Sequence, residues 1–323
     1  MKPGTDRRRS TTDSRAFSKR LRQEYPINKL HLLPDHYGDF GMSTFANTLY
    51  HRSLFQRAVR KILPVVESAL PGWIFKPAYK AAFTAYRVAI RLTYLRFVLL
   101  AAAKGDGAKV RQAWSVFRVM PYSLVGWSGL EATYSIIDTV LTKHTPGALV
   151  ECGVARGGSA ALMGMQTKDA SDRSLWLFDS YEGLPDPGEQ DFRDGATGHH
   201  LRPLPKGSCL GTFDAVENLL YRKLKLSREK VHMAKGWFQN SLSVSSDKIG
   251  EIAVLRIDAD WYDSVRCCLD TLFDQVVSNG FVIIDDYGTC FGARQAVDEF
   301  LASRRIAVPF TPDRRGGIYF QKP

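Results

Sequence analysis

Short apolar runs alternate with stretches of helical periodicity through the C-terminal two-thirds of the chain. Residues 149–154, 175–180, 231–236, 252–259 and 281–287 read as five strands. Helical patterns at about 127–143, 158–168, 211–225, 262–278 and 291–303 precede, separate and follow them. Residues 306–311 and 317–321 flank Asp313-Arg314-Arg315-Gly316, which reads as a hairpin turn. Nearly continuous apolar strands separated by helices predict an α/β fold, a parallel sheet covered on both faces. The closing hairpin adds an antiparallel edge.

Upstream, a helix at about 78–103 places Arg87 and Arg91 on one face and Val88, Leu92, Leu95 and Leu99 on another. The apolar face is expected to pack inside the protein. A second subunit or a membrane surface is the alternative partner. Residues 1–25 are polar and basic, as in a disordered tail. Pro34, Pro64, Pro71 and Pro77 interrupt the segment after it. The expected organisation is a tail at 1–25, a mostly helical extension at 26–115 and a catalytic domain at 116–323.

Composition changes this picture only in its charge. The chain has 323 residues, 45% hydrophobic and 24% charged, ordinary values for a globular protein. The net charge of +11 is concentrated at one end: residues 1–100 carry 18 Lys/Arg and 6 Asp/Glu, the remainder 26 and 27. A basic arm suits nucleic acid, an anionic membrane or an acidic partner. A membrane- or nucleic-acid-associated binding protein is therefore one alternative reading. The apolar run at 82–103 contains Arg87, Arg91 and Arg96, too costly at mid-bilayer for a transmembrane span. The Arg/Ser-rich start lacks an apolar secretory core. Five cysteines, an odd number without a CxxC pair, read as reduced thiols. The expected location is cytoplasmic, with peripheral membrane contact through 78–103 as an option.

Open α/β sheets bind ligands outside the carboxyl ends of their strands, so those ends carry the candidate chemistry. The first strand runs into Glu151, Gly153, Arg156, Gly157, Gly158 and Ser159, a turn that lets backbone approach a ligand before a helix N-terminus. It is not GxGxxG, so it lacks the dinucleotide fingerprint. The second strand ends in Asp179-Ser180, where a carboxylate can accept ribose hydroxyls or simply cap a helix. The third ends in Gly236-Trp237-Phe238, aromatics suited to a purine ring or to the core. Asp258-Ala259-Asp260 closes the fourth strand and Asp285-Asp286 the fifth. Carboxylates gathered on neighbouring strand ends repel strongly, and a hard cation such as Mg²⁺ relieves the repulsion. Separately solvated or capping aspartates are the alternative. Such a metal could lower the pKa of a substrate hydroxyl and orient it. Acidic strand ends argue against nucleic acid in the cleft.

The runs 150–158, 178–185, 256–264 and 280–288, in this order and spacing, resemble the macrocin O-methyltransferase family. The resemblance covers roughly 120–305. It implies a class I methyltransferase fold, S-adenosylmethionine and Mg²⁺, and an acceptor that is a sugar hydroxyl on a natural product, a small-molecule or glycan partner. It also implies a homo-oligomer. By motif match, Glu151, Gly153 and Asp179 would touch the cofactor, with Arg156, Gly157, Ser159, Ser180, Gly236 and Trp237 around them. Asp258, Asp285 and Asp286 would hold the metal. Related catechol-type enzymes carry a lysine base three residues after the first metal aspartate, where this chain has Trp261. That disfavours the second alternative, a catechol-like enzyme acting on a small diol. The resemblance points to His199 or His200 as base, beside Asp258 in the catalytic set.

Overall fold

The computed structural model describes residues 70–170, 172–192, 204 and 206–323. The expected tail, the first part of the extension, and both His199 and His200 lie outside the described residues. Three helices lead in: α1 (Gly72–Ala103), α2 (Gly107–Val119) and α3 (Trp127–Thr142). The sheet then takes β1 (Ala148–Cys152), β2 (Leu175–Asp179), β3 (Val231–Lys235), β4 (Ile252–Ile257), β5 (Val276–Ile284), β6 (Thr311–Pro312) and β7 (Ile318–Gln321). Its order is β3-β2-β1-β4-β5-β7-β6, with β7 antiparallel to β5 and to β6. This is the doubly wound sheet with closing hairpin that the resemblance implies.

Between the strands run α4 (Gly158–Thr167), α5 (Phe213–Glu217), α6 (Phe238–Ile249), α7 (Tyr262–Leu272) and α8 (Phe291–Ser303). After α5 the chain widens into a π-helical turn at Asn218–Lys223. Neighbouring residues of a strand face opposite sides. Leu149, Leu177 and Val254 pack with Leu130, Ile137 and Met163 on one face. Val150, Phe178 and Leu255 pack with Val265, Leu269 and Ala296 on the other. Full burial of such a Leu or Ile contributes about 1.5–3 kcal/mol.

Four differences from the sequence reading have physical causes. Of the expected strand at 306–311 only Thr311 is paired, within β6, because Pro309 cannot donate to a ladder. The helix expected to reach 278 stops at Leu272, and β5 starts at Val276, paired with Ile252. Helix α6 was absent from the reading. It is rich in Ser, Asn and Gln, and it buries only Ser241, Leu242, Ser246 and Ile249. Helix α1 is also oriented opposite to expectation. Arg87 Nη2 donates to the carbonyls of Met120, Pro121 and Ser123 at 3.4, 3.1 and 3.3 Å. Arg91 Nε donates to the Phe117 carbonyl at 3.3 Å and lies over that ring. Val88, Leu92 and Leu99 are exposed. Carbonyls at the end of α2 and in the turn after it point out of the helix end and attract the cations. Among the described residues no helix is long and apolar enough to cross a membrane.

Candidate active site

The turn after β1 is strained and held from below. Gly153, Ala155 and Gly157 all have positive φ, of 90, 44 and 82°. At Gly153 a Cβ would overlap the Asp258 carbonyl, so only glycine fits between the ends of β1 and β4. Asp179, at the end of β2, secures the turn. Its Oδ2 accepts from Val154 N at 2.7 Å and Ala155 N at 2.9 Å, and its Oδ1 accepts from Tyr181 N at 2.6 Å. Burial pushes its carboxyl upward against these three amide bonds.

Beneath the turn, Glu151 is fully buried. Its Oε1 accepts from the Ser159 hydroxyl and from Arg256 Nε at 3.1 Å, while Oε2 has no partner. Burial outweighs the arginine and pushes the carboxyl up to about 8. The residues expected to meet the cofactor therefore fall into two groups. Gly153, Asp179, Ser180 and Trp237 line a cleft of about 620 Å³. Glu151 and Ser159 support the turn from the interior, and neither they nor Arg156, Gly157 and Gly236 border the cleft.

The neighbouring strands β4 and β5 carry the carboxylates at their ends. Asp258, at the end of β4, lines the cleft with Asp260. Asp285 and Asp286, just after β5, lie buried beneath them. One oxygen each of Asp258, Asp285 and Asp286 lies within 4.8 Å of the others. Three hard oxygen donors on adjacent strand ends fit a divalent cation with positions left for water or substrate. Asp285 and Asp286 are buried, so the alternative of separately solvated aspartates does not hold for them. Arg256 on β4 and Arg315 in the hairpin turn provide the counter-charge to Asp285. Neither arginine was singled out in the sequence. The available signal was Arg256 itself, a cation inside the apolar strand Ile252–Ile257.

Trp261 occupies the place of the catechol-type lysine. It is buried, and its indole Nε1 donates to the Pro185 carbonyl at 3.1 Å. The position anchors a loop instead of supplying a base. That loop is closed at its neck, where Leu184 N donates to the Ser208 carbonyl and Gly207 N to the Leu184 carbonyl. Its Asp191 accepts from Tyr262 N at 2.8 Å and Gly188 N at 2.8 Å, which pins residues 188–191 to the start of α7.

Residues 77–322 match the family model described as macrocin-O-methyltransferase (TylF). The chain belongs to this family. The match begins at residue 77, within the segment assigned to the extension, so most of α1 and all of α2 belong to the matched unit. Among its relatives, the demethyldecarbamoylnovobiocin O-methyltransferase of Streptomyces niveus is 35% identical over 204 residues, 62% of this chain and 76% of that protein. The mycinamicin III 3''-O-methyltransferase of Micromonospora griseorubida is 26% identical over 217 residues, 66% and 84% of the two chains. The solved structure of the O-methyltransferase NovP superposes with a TM-score of 0.53 at 34% identity, covering 62% of this chain and 82% of NovP. This family member is an S-adenosylmethionine-dependent O-methyltransferase with the class I methyltransferase fold.

Proposed function

We propose that the enzyme methylates a hydroxyl of a sugar, or of a glycosylated natural product, using a divalent cation held by Asp258, Asp285 and Asp286. The observation that carries this reading is one cleft lined by Gly153, Asp179 and Trp237 and also by Asp258 and Asp260. Relatives acting on a novobiocin precursor and on mycinamicin III support a glycosylated acceptor.

S-adenosylmethionine supplies an electrophilic methyl group, and the cation, taken as Mg²⁺, lowers the pKa of the acceptor hydroxyl. The chain's residues do the rest. Gly153 leaves room for the cofactor to approach the backbone, Asp179 would accept from its hydroxyls, and Trp237 would offer a face to its ring. Asp258 joins the two parts of the site, with its backbone against Gly153 and its carboxylate among the metal-set oxygens. His199, His200 or Asp258 removes the acceptor proton. Alignment of acceptor oxygen and donor methyl is where the cleft contributes most to rate. Residues 116–323 form the catalytic domain in this reading, with 26–115 as an extension.

Methyl transfer from labelled S-adenosylmethionine to the glycosides mycinamicin III and demethyldecarbamoylnovobiocin tests this, followed by mass spectrometry. EDTA should stop transfer and Mg²⁺ restore it. Asp285→Ala should lose turnover while calorimetry shows cofactor binding retained. Undiminished turnover in EDTA would remove the metal, and transfer to none of the glycosides but to a small catechol would remove the acceptor class.

A further inference from the structure

Asp285 is gripped from both sides. Arg256 Nη2 donates to its Oδ1 at 2.6 Å and also to Asp258 Oδ2 at 2.9 Å. Arg315 Nη1 donates to its Oδ2 at 2.7 Å, and Arg315 Nη2 reaches the Leu124 carbonyl at 3.4 Å. Both arginines are buried, at 1% and 3% exposure. Buried ion pairs are poor stabilisers, because desolvation offsets most of the attraction, and apolar packing often serves as well. Two guanidiniums drawn to one candidate ligand set therefore call for an electrostatic explanation.

We infer that Arg256 and Arg315 are resident counter-cations of the Asp258, Asp285 and Asp286 site. They hold its carboxylates together before any ion enters, and they moderate its grip on a divalent cation. This rests on the metal reading above. Each guanidinium raises the charge of the site by one. A loaded site is then more favourable to an ionising acceptor hydroxyl than the carboxylates alone would make it. The carboxylates of Glu151 and Asp313 also lie nearby, but burial disfavours their ionised forms. Arg256 contacts three acidic groups, so it is a poor site for substitution. Arg315 reaches the site from the hairpin and acts through Asp285, which makes it a positioning residue and the better test.

Mn²⁺ is the probe, followed by electron paramagnetic resonance and by its effect on Tm, with no acceptor present. Arg315→Gln removes the charge and should bind Mn²⁺ on the order of ten-fold more tightly than wild type. Its Tm should be lower without the ion and rise further with it. Arg315→Lys keeps the charge and should bind Mn²⁺ as wild type does. Equal or weaker binding by Arg315→Gln overturns the inference, as does tightening by Arg315→Lys to the same degree. If Arg315→Gln is recovered only unfolded, refolding in Mn²⁺ should restore it, and failure to do so also overturns the inference. Absence of Mn²⁺ binding in wild type removes the metal reading itself, an outcome distinct from binding that is merely insensitive to Arg315.

Discussion

Asp179→Ala should damage both the fold and cofactor binding, because one carboxylate serves three amides. Val154 N, Ala155 N and Tyr181 N lose their acceptor together. A buried donor left unsatisfied costs about 1–3 kcal/mol. The cleft edge lets water reach some of them, so a total of about 4 kcal/mol is expected rather than the full sum. For a chain of this size that corresponds to a fall of about 6–8 °C in Tm. Ala155 and Tyr181 are non-glycine residues at φ 44 and 56°, conformations held by these bonds. The turn should therefore relax, and S-adenosylmethionine affinity should drop by at least about ten-fold, or 1.4 kcal/mol. Differential scanning calorimetry and isothermal titration on the same preparation measure the two effects. Wild-type cofactor affinity in the Asp179→Ala protein would refute the argument that this carboxylate shapes the turn.

Two further outcomes are expected. Glu151, with its carboxyl raised to about 8, stays protonated in the folded chain while the unfolded chain ionises near its ordinary value. Its contribution to stability is complete at low pH and declines as pH rises from about 4.5 to 8. Glu151→Gln should flatten that part of the Tm–pH curve, and an unchanged slope would exclude Glu151 as its source. Arg87→Met removes the donor to three carbonyls and should cost about 2 kcal/mol. Proteolysis should then cut α1 faster while the sheet resists. Unchanged cleavage of α1 would show that the arginine does not hold the helix down.

The sheet was legible because β1, β2, β4 and the second half of β5 are short apolar runs that break at glycines or acids and alternate with helical patterns. The acids and glycines stood out because they interrupt those runs at their ends. Other features depend on partners distant in sequence. Arg315 meets Asp285 across 30 residues and the Leu124 carbonyl across 191. No local pattern announces either contact. The orientation of α1 was misread because periodicity identifies two faces but not which one is buried. Carbonyls at 117–123 decided it, and their direction is set by how α2 ends. The polar helix α6 escaped because serines lower helix propensity, and the buried face consists of only four residues.

Backbone bonds among Leu184, Gly207 and Ser208 draw the two ends of the 185–206 insert together. Among its described residues, Pro185 and Asp191 are tied to Trp261 and Tyr262, and Leu204 packs in the core. Doubling the length of such an insert costs only about 0.6 kcal/mol in closure entropy. Changes in length between Asp191 and Leu204 would thus leave the core in place, provided Leu204, Trp261 and the Asp191 contact are kept.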